Sequence, residues 1–159
     1  MRKIFLFLIL CSLFFNNQVN ANEFASHAKS AYLMEASTGK VLFEKNAEEK
    51  MFPASMTKMM SLILVYEALN SNQIKEDEIL TISENAASMG GSQIFLQPNE
   101  KMSISDLLKS ICIASANDAM VAMAEHISGS VSEFVNEMNK KAKEYELVNY
   151  YIDDGYSGT

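Results

Sequence analysis

The sequence predicts an α+β fold in which one β-hairpin is followed by a helical region. Two short apolar runs, at 30–35 and 40–44, flank a turn that contains Gly39, which is typical of a β-hairpin. A long apolar segment then opens at Pro53, a residue that often begins a helix. Further segments with helical periodicity lie at 106–114, 118–128 and 132–145. The 159 residues are enough for one domain with a hydrophobic core.

The first residues have the pattern of a secretory signal peptide. Arg2 and Lys3 precede a short apolar run, and small residues lead up to Ala21. The run is too short to span a bilayer core of roughly 30 Å. We therefore predict a signal peptide over 1–21 with cleavage after Ala21, and a mature N-terminal segment over 22–29. The predicted location is the periplasm or the outer face of the cytoplasmic membrane.

The net charge argues against one class of partner, and the cysteine content argues against an internal disulfide. Loss of Arg2 and Lys3 with the signal would take the net charge from −7 to −9, which argues against a nucleic-acid partner. Cys11 would be removed as well, so that Cys112 would remain without an internal disulfide partner. Because Cys112 lies in an apolar helical run, we expect it to be buried in packing.

Between the first long helix and the next, the sequence predicts short strands and a single helical turn. We expect strands at 79–83 and 93–97, with one helical turn at 84–89 between them, stopped by the Gly90-Gly91 pair. Residues 102–105 should lead into the helix at 106, with Ser103 or Ser105 as its cap. In the last helix, one face carries four apolar residues: Phe134, Val135, Met138 and Ala142.

A serine and a lysine stand three residues apart at the start of the long apolar segment. Ser55 and Lys58 would share one face of a helix there. Because the segment is apolar on every side, we expect the whole helix to be buried. Burial and the positive end of the helix dipole both disfavour a charged lysine. A neutral amine beside a serine hydroxyl is a base next to a nucleophile.

A second polar cluster interrupts the later helices. Ser115, Ala116 and Asn117 separate two apolar helical segments. Such residues are also ordinary helix breakers and caps, so the cluster alone does not require a function. A Ser-x-x-Lys motif together with a Ser-x-Asn motif is, however, a combination found in penicillin-recognising serine enzymes.

With these motifs the chain resembles the D-alanyl-D-alanine carboxypeptidases among the low-molecular-mass penicillin-binding proteins. Order and spacing agree with that family as well as the motifs, over roughly residues 30–148. The agreement runs through Thr38-Gly39-Lys40, Pro53-Ala54-Ser55-Met56-Thr57-Lys58, Gly91-Ser92, Asp106-Leu107-Leu108 and Ser115-Ala116-Asn117-Asp118. The resemblance implies a β-lactamase/DD-peptidase (transpeptidase-like) fold, with residues 30–159 forming part of the catalytic domain.

The resemblance also implies a role for each matching residue. Ser55 would be the acylated nucleophile and Lys58 the base that accepts its proton. Ser115 would pass that proton to the leaving D-alanine, and Asn117 would hold the substrate's peptide carbonyl. The implied substrates are peptidoglycan stem peptides ending in D-Ala-D-Ala, with β-lactams as acylating inhibitors. Neither a cofactor nor a metal is implied.

The family's third motif, a Lys-Thr-Gly on a downstream strand, does not occur in these residues. We therefore expect a truncated fold: an N-terminal hairpin and a helical subdomain, with most of the central antiparallel sheet missing and any C-terminal membrane-binding region absent. A non-catalytic remnant that binds peptidoglycan or β-lactams weakly is the alternative, and a class A β-lactamase is a second one. The sequence shows no metal-binding pattern among the other candidate ligands, which are His27, His126 and Asp153-Asp154.

Overall fold

The computed structural model describes residues 25–147, which divide into two compact units at Met51 and Phe52. The predicted signal peptide and the segment around Asp153-Asp154 lie outside the described residues.

The first unit contains the predicted hairpin. Strand β1 (Ala31–Met34) pairs antiparallel with β2 (Val41–Lys45), and Leu33 lies opposite Phe43. Gly39, in the connecting turn, has a φ of +69°, a left-handed conformation that glycine adopts without steric cost. The hairpin prediction is confirmed.

The turn before β1 is bonded to the end of β2. Lys45 Nζ donates to the carbonyl oxygens of Ala25 and Ser26, both at 3.2 Å. Asn46 Nδ2 donates to the carbonyl oxygen of Lys29 at 2.8 Å. The carbonyl groups of Ala25, Ser26 and Lys29 therefore have defined hydrogen-bond donors.

The second unit begins with the helix predicted after Pro53. A single 3-10 turn (Ala54–Thr57) leads into α1 (Lys58–Asn70). The expectation that the whole helix is buried is wrong, because the side chains of Met59 and Tyr66 are 68% and 48% exposed. Within this unit α1 packs against two later helices on one side only, so the apolar residues on its other side remain exposed.

The middle segment forms a small sheet. Strand β3 (Ile79–Thr81) pairs antiparallel with β4 (Lys101–Ser103), which places Leu80 opposite Met102. Between them, the short helix α2 (Glu84–Ala87) is capped by Ser83, whose Oγ accepts the Ala86 N–H at 2.9 Å.

The strand predicted at 93–97 does not form, which corrects the prediction from sequence. Phe95 has a φ of +61°, which breaks an extended chain, and its two neighbours donate their N–H groups to the carboxylate of Asp118. The segment's backbone donors are thus used by a side chain. Strand β4 overlaps residues that the sequence predicts only as a lead into the next helix.

Helix α3 (Ile104–Ala114) begins at the predicted cap, where Ser103 Oγ accepts the Asp106 N–H at 3.1 Å. Its buried residues are Ile104, Leu107 and Ile111. Cys112 is exposed, so the prediction that it is buried is wrong. A residue that directly follows Ile111 lies about 100° around the helix and leaves the apolar stripe.

Two further helices complete the core of the second unit. Helix α4 (Asn117–Ser128) ends at Gly129, which has a φ of +81°, and α5 (Val131–Glu144) is capped by Ser130. The apolar face predicted for the last helix is buried as expected. The largest fully buried apolar side chains are Phe134, Ile82, Ile104, Leu107, Met123, Met138 and Val65.

Candidate active site

Ser55 lies in the 3-10 turn that opens α1, and the residue is exposed. N–H groups in the first turn of a helix lack partners within the helix, so they can bind an anion. Ala54, immediately before it, has a φ of +47°, which is uncommon for a residue other than glycine. Strained backbone of this kind concentrates at functional sites.

Lys58 is the first residue of α1 and its side chain is buried, with only 4% exposed. Its Nζ donates to Asn117 Oδ1 at 2.6 Å. Burial lowers the pKa of the Lys58 amine below its ordinary value of 10.5. The positive end of the helix dipole acts in the same direction. Lys58 is therefore buried, as predicted from the sequence, and loses its proton more readily than an ordinary lysine.

Asn117 is held in one orientation by its other contacts. It is 4% exposed, its Nδ2 donates to the carbonyl oxygen of Gly90 at 2.8 Å, and its backbone N–H donates to that of Ser92 at 2.7 Å. Because Nδ2 is turned to Gly90, Oδ1 faces Lys58. The amide therefore links the start of α4 to the start of α1.

Ser115 lies at the junction of α3 and α4. Its φ is +55°, its backbone N–H donates to the carbonyl oxygen of Ser110, and the residue is half-buried. Within residues 25–147, the structure gives the hydroxyl groups of Ser55 and Ser115 no side-chain hydrogen bond, so the contact expected between Ser55 and Lys58 is not made as a hydrogen bond. The structure thus joins Lys58 to Asn117 by a hydrogen bond. In the sequence, Ser55 lies three residues before Lys58, and Ser115 lies two residues before Asn117.

Asp118 was missed by the sequence argument, which took it only as the start of a helix. It is 1% exposed, and its carboxylate accepts three backbone N–H groups. An acid in the first turn of a helix is common and stabilises it, so the sequence signal was hidden in an ordinary capping pattern.

A profile of the family described as D-alanyl-D-alanine carboxypeptidase matches residues 16–155. The chain belongs to that family. The predicted family resemblance is therefore confirmed.

Individual relatives of this carboxypeptidase-family chain agree. The D-alanyl-D-alanine carboxypeptidase DacF of Bacillus subtilis is 59% identical over 128 residues, which are 80% of this chain and 33% of that protein. The crystal structure of penicillin binding protein 5 from Haemophilus influenzae matches with a TM-score of 0.76 at 36% identity, over 81% of this chain and 38% of that one. The chain thus spans about a third of the length of the curated relatives it matches.

A third similar structure was solved with a β-lactam. Penicillin-binding protein D2 of Listeria monocytogenes, in its ampicillin-bound form, matches with a TM-score of 0.65 at 29% identity, over 73% of this chain and 46% of that one. With the penicillin binding protein 5 match, it confirms the predicted α+β, DD-peptidase-like fold class.

Three further features of the described residues concern an ion pair, metal ligands and membrane-spanning helices. His126 Nε2 lies 3.0 Å from Glu78 Oε1, so this histidine has a carboxylate partner. Over residues 25–147 there is no cluster of three or more potential metal ligands. In the same range, none of the helices has the length and apolar character needed to cross a membrane.

Proposed function

We propose that this site is the acylation centre of a serine-type D-alanyl-D-alanine carboxypeptidase that acts on the cell wall. The observation that carries the proposal is the buried Lys58, whose pKa is lowered and whose amine is held by Asn117, one helical turn after Ser55. A lysine that gives up its proton more readily than an ordinary one, close to a serine in the chain, is suited to act as the base for nucleophilic attack.

In the proposed reaction, Ser55 Oγ forms a bond to the carbonyl carbon of the penultimate D-alanine. Lys58 Nζ takes the Oγ proton. The peptide bond to the terminal D-alanine then breaks, and Ser115 relays the proton to the leaving amine. Water hydrolyses the resulting ester and regenerates the serine. The Ser55 N–H, in the first turn of the helix, would stabilise the negative charge on the carbonyl oxygen.

Asn117 is the proposed contact for the substrate backbone. An asparagine amide carries two N–H donors, and Gly90 accepts one of those on Asn117. The second remains to donate to a peptide carbonyl of the stem peptide. Because two hydrogen bonds fix the side-chain amide and a third holds the backbone N–H of the same residue, the amide would meet the substrate without reorganising.

The proposed partners follow from the family. They are peptidoglycan stem peptides that end in D-Ala-D-Ala, and β-lactams that acylate Ser55, as the ampicillin-bound relative suggests. The proposed place of action is the periplasm or the outer face of the cytoplasmic membrane, with residues 1–21 as the signal for export. Neither a metal nor another cofactor enters the proposed mechanism.

Labelling with a fluorescent penicillin tests the assignment of the nucleophile. We expect covalent label on the wild-type chain, none on Ser55→Ala, and normal label on Ser132→Ala, which removes an exposed hydroxyl from α5. Persistent labelling of the Ser55→Ala variant would refute the proposal.

Turnover is tested separately with a peptide that ends in D-Ala-D-Ala. Release of free D-alanine by the wild-type chain, and not by Ser55→Ala, is the expected result for a carboxypeptidase. Penicillin label without release of D-alanine would instead identify a chain that is acylated but does not turn over its substrate.

A further inference from the structure

A buried carboxylate lies directly beside the proposed site without taking part in its chemistry. Asp118 is the second residue of α4 and is 1% exposed. None of the ion pairs that the structure describes between residues 25 and 147 includes it. A buried charge is costly unless its hydrogen bonds are satisfied, so its partners explain why it is tolerated.

Those partners are backbone N–H groups from two places. Oδ2 accepts from Leu96 at 3.0 Å and from Ile94 at 3.1 Å, and Oδ1 accepts from Ala119 at 2.9 Å. The first two belong to the 90–97 segment, and the third belongs to the helix that carries Asp118. Oδ2 therefore attaches the segment to the first turn of α4, Oδ1 accepts from that turn, and Ile94 N–H also lies 3.2 Å from Oδ1.

The same segment holds Asn117 in return. The carbonyl oxygens of Gly90 and Ser92 accept from Asn117 Nδ2 and from its backbone N–H. The attachment is thus reciprocal: α4 supplies a carboxylate to the N–H groups of the segment, and the segment supplies carbonyl groups to α4. If the segment moved away, Asn117 Nδ2 would lose its acceptor and the amide could rotate.

Rotation of that amide would reach the proposed base directly. Lys58 Nζ has Asn117 Oδ1 as its acceptor at 2.6 Å, and a rotated amide would present N–H groups to a donor. We infer that Asp118 is a positioning residue, which acts through the 90–97 segment and Asn117 to keep the Lys58 amine in place for Ser55. The expected effect on acylation of Ser55 rests on the proposed function, whereas the positioning of Asn117 and Lys58 by Asp118 does not.

The variant Asp118→Asn tests the inference with little change of shape. Asparagine keeps one acceptor oxygen but places an NH₂ against backbone N–H donors at the other position, so the attachment of the segment to α4 should weaken. We expect the second-order rate of Ser55 acylation by a fluorescent penicillin to fall about ten- to a hundred-fold, as for misplaced catalytic groups. The Asn117 side-chain amide should also lose its protection from hydrogen exchange, followed by nuclear magnetic resonance.

The matched control is Val135→Ala, which weakens the core on α5 and leaves the network intact. At a temperature where both variants are folded, this control should keep the wild-type acylation rate and the protection of Asn117. A wild-type acylation rate in Asp118→Asn, or retained protection of the Asn117 amide, would overturn the inference.

Failure of the positioning role can be distinguished from failure of the proposed function in two cases. If the wild-type chain is not acylated, the proposed function fails, and the protection of Asn117 in Asp118→Asn alone decides the positioning role. If Asp118→Asn does not fold, hydrogen exchange in the wild-type chain tests the positioning role instead. The N–H groups of Ile94 and Leu96 and the Asn117 side-chain amide should then share one opening equilibrium in hydrogen exchange. Unequal opening equilibria would contradict the inference.

Discussion

Replacement of Lys58 by methionine should change how the stability of the chain depends on pH. Lys58 is 4% exposed and burial lowers its pKa from 10.5. At a pH between the two values the unfolded chain binds a proton at this site that the folded chain does not. The free energy of unfolding therefore rises with pH in that interval. Below the folded-state pKa the full cost of burying the charge is present, and above 10.5 it has vanished.

The magnitude follows from one proton. A single group with different pKa values in the two states changes the free energy of unfolding by at most about 1.4 kcal/mol per pH unit. The Lys58→Met variant lacks this contribution. It also leaves Asn117 Oδ1 without its donor, at a cost of about 1–3 kcal/mol, but that cost does not depend on the protonation of a lysine.

Urea unfolding at several pH values, followed by circular dichroism, measures the difference. We expect the stability of the wild-type chain relative to Lys58→Met to increase as the pH rises towards 10.5, with a slope of no more than about 1.4 kcal/mol per unit. Lys140→Met, at an exposed position of α5, is the control and should run parallel to the wild-type chain. Parallel curves for wild type and Lys58→Met would refute the argument that burial lowers the pKa of this amine.

Two further substitutions test the strain at the site and the packing of the core. Ser115→Gly should raise the free energy of unfolding slightly, by up to about 1 kcal/mol in urea titration, because glycine adopts the φ of +55° without steric cost. Penicillin labelling should fall in this variant if Ser115 relays a proton, and unchanged labelling would contradict that role. Phe134→Ala should lower the free energy of unfolding by about 3–5 kcal/mol in urea titration, since the side chain is 2% exposed; a loss below about 1 kcal/mol would show that the packing around it is wrong.

The elements that the sequence predicted well are those set by neighbouring residues. The hairpin around Gly39, the cap at Ser103 and the helix stop at Gly129 each depend on a few consecutive residues. The buried face of α5 follows from helical periodicity in the same way.

The proposed site shows the same division. Ser55 lies in the 3-10 turn, three residues before Lys58 at the start of α1, so their proximity in the chain was readable from their spacing. Asn117 lies 59 residues from Lys58, and the hydrogen bond between them exists because α1 packs against α4. Only the resemblance to a family had brought these two residues together beforehand.

The sequence by itself thus determined the order of the main helices, because caps, glycines and periodicity act locally, and the resemblance of its motifs to a known family indicated the fold class and the family. Tertiary structure decided that residues 93–97 do not form a strand, that Cys112 is exposed and that Asp118 is buried. Each of these depends on which distant group satisfies a backbone donor or covers a helix face. The carboxylate of Asp118 takes N–H groups that lie more than twenty residues before it in the chain, and no local pattern carries that information.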